Sequence, residues 1–373
     1  MDTGKRSLPH ESLWRTPYRP LRFFRGGHAQ TLIGNFWPRS PLTSPAESES
    51  VIVDRLDNSR VLCHCHWQRD LQSGRVLADR PTVLLVHGLE GSSQSGYMLG
   101  ITTLALDARC NVIRMNMRNC GGTDAWTPTL YHSGRSADVA AVLHHFQQKH
   151  ALARVAMIGY SMGGNLVLKL AGELGDSAPE WLIGTATVSP VTDLAESADA
   201  LHQPGNRIYE QHFLTRLMRR YQRKAELFPE RYTRRELPPI CSIRSFDDAI
   251  VAPHSGFASA EDYYHRASSA RCVEAICIPA LILHALDDPF IRMRADTRER
   301  LLANPSVHLV ESQHGGHCAF LAARQRGSHE PRHWAETTVL DFVLATANES
   351  TWSTSTRTTP ASGTAAWSAS HGS

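Results

Sequence analysis

A serine held between a strand-like run and a helix-like run restricts this chain to very few folds. Val155-Ala156-Met157-Ile158 is continuous apolar β-type sequence, and Gly159-Tyr160-Ser161-Met162-Gly163 follows it directly. Gly164-Asn165-Leu166-Val167-Leu168-Lys169-Leu170 then reads as a helix. A G-x-S-x-G pentapeptide on a strand-to-helix turn forces its serine into strained backbone and lifts the hydroxyl out at the top of a sheet. The flanking glycines let strand and helix approach closely. The pentapeptide alone is a weak pattern, and its context is what makes Ser161 a candidate nucleophile.

A nucleophile on such a turn is followed along the chain by an acid and then a histidine. Pro279 to Leu286 reads as a buried strand ending in Asp287-Asp288-Pro289-Phe290. The carboxyl end of a parallel strand is where α/β sheets place their sites. Asp288 is the preferred acid because it stands just before Pro289-Phe290-Ile291, and Asp287 is read as a loop or capping residue. A second strand, Val307 to Glu311, runs into Gln313-His314-Gly315-Gly316-His317-Cys318. His317 is the preferred base because it follows two glycines and precedes a small-then-aromatic stretch, and His314 is read as a loop residue. One ring nitrogen takes the serine proton while the other donates to the carboxylate.

A tetrahedral intermediate needs two preorganised N–H donors. Pro81 to Val86 is the most strand-like run of the N-terminal half, and it ends in His87-Gly88-Leu89-Glu90-Gly91. The backbone amides of Leu89 and Met162 are assigned to the oxyanion hole. His87, Gly88 and Tyr160 flank these donors and are pocket candidates, as are Tyr263 and Tyr264 further along the chain.

These segments together resemble the α/β-hydrolases, and within them the YheT-type esterases with their abhydrolase-domain lipid hydrolase relatives. The resemblance rests on Phe24-Arg25-Gly26-Gly27-His28-Ala29-Gln30-Thr31, on HGLEGSSQSGY from His87, and on Asn116-Met117-Arg118-Asn119-Cys120-Gly121-Gly122. It continues through Tyr131-His132-Ser133-Gly134, GYSMGGN from Gly159, Ser245-Phe246-Asp247-Asp248 with Tyr263-Tyr264, DDPF from Asp287 and HGGH from His314. It spans about residues 15 to 345. The resemblance implies serine-dependent hydrolysis of carboxylic esters, with lipid or short-to-medium acyl esters as substrates. Eukaryotic relatives often carry an N-terminal membrane anchor. The first fifty residues here hold no apolar run near the ~18 residues that span a bilayer and no secretory signal pattern, so a cytoplasmic location is expected.

The expected fold is an α/β-hydrolase, a mostly parallel sheet flanked by helices. Strand-like runs at Val83 to Val86, Val112 to Met117, Val155 to Ile158 and Thr185 to Val188 alternate with helical stretches, as βαβ units do. Residues 1–45 are expected to be an irregular lead-in anchored by Phe23, Phe24, Leu32, Phe36 and Trp37. The hydrolase domain covers 46–345, with a helical cap at about 191–272, and the Ser/Thr/Ala-rich tail 346–373 is expected to be disordered. Within the cap, Tyr209 to Lys224 is an amphipathic helix. Phe213, Leu214, Leu217, Met218 and Tyr221 share one face, and Arg216, Arg219, Arg220, Arg223 and Lys224 crowd the other. The preferred reading sets the apolar face over the pocket and the basic face in water. The alternative is a peripheral contact with anionic lipid.

Composition removes other classes. A net charge of +3 and the lack of a basic stripe with interleaved aromatics argue against nucleic acid. The eight cysteines fit neither zinc spacing nor a dense disulfide framework. Cys63 and Cys65 are read as two thiols on one strand face, His144 and His145 as helix-surface residues, and no metal or cofactor is assigned. Two alternatives to ester hydrolysis remain: an acyltransferase or thioesterase on the same triad, and a non-catalytic binding protein on the same fold.

Overall fold

The apolar runs become strands of one eight-stranded sheet in the computed structural model, which describes residues 6, 8–21, 23–232, 237–323 and 333–355. The strands are β1 (Glu47–Asp54), β2 (Ser59–His66), β3 (Thr82–Val86), β4 (Asn111–Met115), β5 (Val155–Tyr160), β6 (Leu182–Val188), β7 (Ala280–Ala285) and β8 (Val307–Ser312). They lie in the order β1-β2-β4-β3-β5-β6-β7-β8. β2 runs antiparallel to both β1 and β4, and every other neighbouring pair is parallel. β3 to β7 are buried at every position, which is why they read as largely apolar runs even with Arg114, Thr185, Thr187 and His284 buried among them: parallel strands are covered on both faces. β2 instead alternates, and Cys63 and Cys65 are both buried on its inward face.

The helices are α1 (Gly27–Phe36), α2 (Gly96–Asp107), α3 (Ser136–His150), α4 (Met162–Leu174), α5 (Leu194–Leu201), α6 (Arg207–Leu227), α7 (Ile243–Phe246), α8 (Ala252–Ser255), α9 (Ala260–Ala267), α10 (Ala295–Ala303) and α11 (Trp334–Ser355). Side chains alternate across the sheet, so β3 sends Leu84 and Val86 to one core and Val83 and Leu85 to another. The first core holds Val142 and Phe146 of α3 with Leu166 and Val167 of α4. The second holds Met98 and Ile101 of α2 with Val339 and Phe342 of α11. Helices α5 to α9 lie between β6 and β7 and form the inserted cap.

Three expectations need correction. The lead-in contains α1, and Phe23, Leu32 and Phe36 are exposed rather than anchoring. Helix α1 docks through its small residues instead: a Cβ on Gly27 would lie 1.7 Å from the Asp287 carbonyl oxygen. The buried aromatic of this segment is Trp14, edge-on to Phe342 at 5.4 Å. Second, α11 runs through the boundary set at residue 346, because Ala345 and Ala347 extend its buried stripe; residues 356–373 of the expected tail lie outside the described residues. Third, the basic face of α6 is not all in water. Arg219 and Arg223 are exposed, but Lys224 is fully buried on the carbonyls of Asp124 and Thr127, and Arg220 turns inward onto Glu90. Long cationic side chains bury their stems beside apolar surface and carry their charge to polar partners, here backbone carbonyls and a carboxylate. Among the described residues, no helix is long and apolar enough to cross a membrane.

Candidate active site

Strand β5 delivers Ser161 to the sheet's carboxyl edge, and the turn into α4 begins there. Ser161 has φ 54° and ψ −116°, a conformation that costs a non-glycine residue roughly 1–3 kcal/mol and persists only where the surroundings impose it. Here they do. The Ser161 N–H donates to the Val188 carbonyl, and its own carbonyl accepts from Asn165 and Val191. A Cβ on Gly163 would stand 2.3 Å from the Val86 carbonyl oxygen, so the glycine lets α4 cross β3.

The Ser161 hydroxyl lies 3.0 Å from His317 Nε2, and His317 Nδ1 lies 2.8 Å from Asp288 Oδ2. Asp288 is buried, and its Oδ1 accepts the N–H groups of Phe290 and Ile291 at 3.1 and 2.9 Å. Burial alone would raise its pKa; the facing imidazole and the two N–H groups outweigh that and hold the carboxyl below its usual range. The His317 pKa moves upward. Burial disfavours the imidazolium, but the adjacent Cys318 sulfur and the Asp288 carboxylate favour it more. The ring of Phe290 packs on His317 at 4.4 Å.

Neighbouring candidates separate cleanly. Asp287 points away from the histidine ring, and its Oδ1 accepts the Gly316 N–H at 2.9 Å. His314 lies 3.4 Å from Asp287, not within the Ser161 chain. Gly88 sits against Ser161, where an added Cβ would be 3.1 Å from the serine Cβ. Leu89 and Met162 both line the cavity at Ser161, and Met162 opens α4, whose N-terminal amides favour negative charge.

His87 and Tyr160 do not line that cavity. His87 is buried in its own loop, donating from Nδ1 to the Gly88 carbonyl and accepting the Met117 N–H at Nε2. Burial pushes its pKa down to about 4. Tyr160 packs against Tyr97 in the second core, because side chains alternate along β5. Tyr263 and Tyr264 do line the cavity and are buried there.

The cavity encloses about 870 Å³ of non-atom space including its open mouth. Its walls are mostly apolar, with Leu130, Val191, Leu201, Phe213, Leu217 and Phe246 among them. Cap and sheet loops meet beside it at the buried Glu90, which pairs with Arg220 and, at 3.6 Å, with Arg216. Glu90 is 7% exposed and takes Arg220 Nε at 2.8 Å, while the Tyr131 hydroxyl donates to it at 2.7 Å. Arg216 donates to the Glu90 carbonyl. Burial would raise the Glu90 pKa, and Arg220 with Tyr131 brings it below the ordinary value.

Sequence reasoning did not assign roles to Thr31 or Glu90, and it set Arg220 on the basic face of α6 in water or against anionic lipid. Thr31 and Glu90 stood inside quoted motifs, which could have prompted the question. Arg220 carried no signal, since nothing in a run of basic residues marks the one that turns inward.

A sequence model described as the alpha/beta hydrolase fold matches residues 81–323. The chain belongs to that family. The Escherichia coli K12 protein named "Putative esterase YheT" is 28% identical over 327 residues, covering 87% of this chain and 92% of its own length. Mouse phospholipase ABHD3 is 29% identical over 307 residues, covering 82% of this chain and 73% of its own. A monoacylglycerol lipase of Saccharomyces cerevisiae is 28% identical over 255 residues, covering 66% and 56%. Among solved structures, 2,6-dihydroxy-pseudo-oxynicotine hydrolase superposes with a TM-score of 0.52 at 16% identity, covering 85% of this chain and 72% of its own. At that identity the likeness is one of fold.

Proposed function

We propose that this α/β-hydrolase cleaves carboxylic esters through an acyl-enzyme on Ser161. The observation that carries the reading is the hydrogen-bonded chain Ser161 Oγ–His317 Nε2 and His317 Nδ1–Asp288 Oδ2, at the mouth of an apolar cavity. Ser161 attacks the ester carbonyl and His317 accepts the hydroxyl proton. Asp288 keeps Nδ1 protonated, so Nε2 is the basic nitrogen, and it stabilises the imidazolium. The Leu89 and Met162 amides take the oxyanion, His317 returns the proton to the leaving alcohol, and water activated by His317 releases the acid.

The apolar walls fit an acyl chain better than a charged group, and the names of the relatives agree with a short-to-medium acyl or lipid ester. Hydrolysis of p-nitrophenyl esters from C2 to C16, compared with Ser161→Ala, tests the reading. Activity lost with the hydroxyl supports it, and turnover surviving in the variant sinks it. An added alcohol acceptor separates hydrolysis from acyl transfer, since a transferase forms the new ester faster than the free acid.

A further inference from the structure

Three motifs with no part in the Ser161–His317–Asp288 chain meet on one wall of its cavity. Tyr131-His132-Ser133-Gly134 lies in the loop before α3. Ser245-Phe246-Asp247-Asp248 spans the end of α7 and a π-helical turn, Asp247–Val251, and Tyr263-Tyr264 lies in α9. His132, Ser133, Asp247, Tyr263 and Tyr264 all line the cavity that Ser161 opens into. Hydrogen bonds lock the wall together. The Ser133 N–H donates to the Tyr263 hydroxyl at 2.9 Å, and the Tyr264 hydroxyl donates to Asp247 Oδ2 at 2.7 Å.

Two polar atoms on this wall are left without a partner among the described residues, and a third, Ser133 Oγ, is closed off behind it. Asp247 is 8% exposed and has no ion pair among the described residues. The nearby Arg244 is committed to Asp199 and Glu261, and Asp247 Oδ1 takes no hydrogen bond among the described residues. His132 Nδ1 accepts the Gly134 N–H at 3.1 Å, which leaves the ring proton on Nε2, also without a partner among the described residues. Ser133 is buried, and its Oγ sits beside the Tyr263 hydroxyl without a hydrogen bond of good geometry. An unmatched polar group in an apolar cavity costs stability, so Asp247 Oδ1 and His132 Nε2 are the two atoms on this wall that a ligand group would satisfy.

The chemistry of that group follows from the wall. Burial pushes Asp247 up to about 7, and burial with the surrounding arginines and Lys169 pushes His132 well down, so both groups are held toward neutrality. An ammonium ion would confront the His132 N–H, and a carboxylate or phosphate would confront Asp247. A hydroxyl both donates and accepts, so it can take the His132 N–H and pair with the Asp247 carboxyl in either of that group's protonation states.

We propose that Asp247 and His132 form a subsite for a free hydroxyl of the ester substrate, making the enzyme selective for hydroxyl-bearing esters. The inference rests on the ester-cleaving reading. A hydroxyl on the alcohol half and one on the acyl half present the same chemistry, and the test separates them.

Two ester pairs are compared by kcat/KM: glycerol 1-monobutyrate against propyl butyrate, and ethyl 3-hydroxybutyrate against ethyl butyrate. Wild type is expected to favour the hydroxylated member of one pair by roughly tenfold or more, because an analogue lacking the hydroxyl strands the buried polar groups. The pair that shows the preference locates the hydroxyl. In Asp247→Leu and in His132→Phe the ratio within that pair is expected to fall toward one. Equal rates within both pairs in wild type overturn the subsite while leaving ester cleavage standing. So does a preference that survives in a folded variant. Failure of wild type to cleave any of the four esters overturns the subsite, while the p-nitrophenyl ester series decides ester cleavage separately. If Asp247→Leu does not fold, as judged by circular dichroism, His132→Phe and the wild-type ratios still decide.

Discussion

The backbone N–H of His317 donates to the Thr31 hydroxyl at 2.8 Å, joining α1 to the loop of the candidate base across 286 residues of chain. The same hydroxyl donates to the Gly27 carbonyl one turn earlier in α1, so the loop is tied to a rigid helix. Thr31 touches no substrate in this scheme; it is a positioning residue. Thr31→Val removes the acceptor and is expected to lower kcat about fivefold, from the ~1 kcal/mol net worth of one hydrogen bond, with KM little changed. Thr31→Ser keeps the oxygen and is expected to restore most of the rate. Equal damage from serine and valine would reduce Thr31 to a packing role.

Helix α1 also constrains the acid. Gly27 lies so close to the Asp287 carbonyl that a methyl group cannot be accommodated without moving the β7 turn. Gly27→Ala is therefore expected to lose most activity by displacing Asp288, and to lower the melting temperature by several degrees, given ~1–3 kcal/mol for overpacking. Melting curves and esterase rates on the purified variant check both parts.

The acid limb of the pH–rate profile is expected to report His317. The ring must be neutral to accept the Ser161 proton, and its pKa is raised above the ordinary histidine value. Activity should fall as pH drops, with the midpoint of kcat/KM above ~6.5. Asp288→Asn withdraws the carboxylate's support for the imidazolium, so the midpoint should move down while kcat collapses by ~10⁴. A limb that stays in place in Asp288→Asn would assign the titration to another group.

Arg220 and Glu90 join the cap to the loop that carries the Leu89 amide. Breaking a buried ion pair by removing one partner costs about 3–5 kcal/mol where the remaining charge is stranded, and the exposed Arg216, 3.6 Å from the Glu90 carboxylate, offsets part of that cost here. Arg220→Ala is expected to destabilise the protein strongly and to reduce kcat through the Leu89 loop. The double variant Arg220→Met/Glu90→Gln should recover part of the stability, since it leaves no lone charge. Chemical denaturation of the single and double variants measures the coupling.

Much of the fold was legible because its signals are local. Parallel strands covered on both faces are mostly apolar, and β3, β5 and β7 therefore announce themselves as apolar runs of four or more residues, while β6 is interrupted by Thr185 and Thr187. The Ser161 turn, the Asp288 strand end and the His317 loop each follow from short-range backbone chemistry, and their order along the chain suggested their meeting. The lead-in was misjudged for the opposite reason. Large aromatics at Phe23 and Phe36 looked like anchors, but α1 docks through Gly27 and Gly34, whose value lies in what they leave out.

Local sequence, then, settles which segments are strands and where a strained serine must stand, because φ/ψ preference and burial on both faces act within a few residues. It leaves open which partner each polar side chain finds. Arg220 and Arg219 are adjacent members of one basic run, yet one closes on Glu90, 130 residues away in the chain, and the other is exposed. Thr31 on His317, Asp247 on Tyr264 and the polar wall beside Ser161 are likewise products of packing. Such contacts join elements distant in sequence, and the free energy that selects them comes from desolvation at a surface that exists only once the sheet, α1 and the cap have assembled.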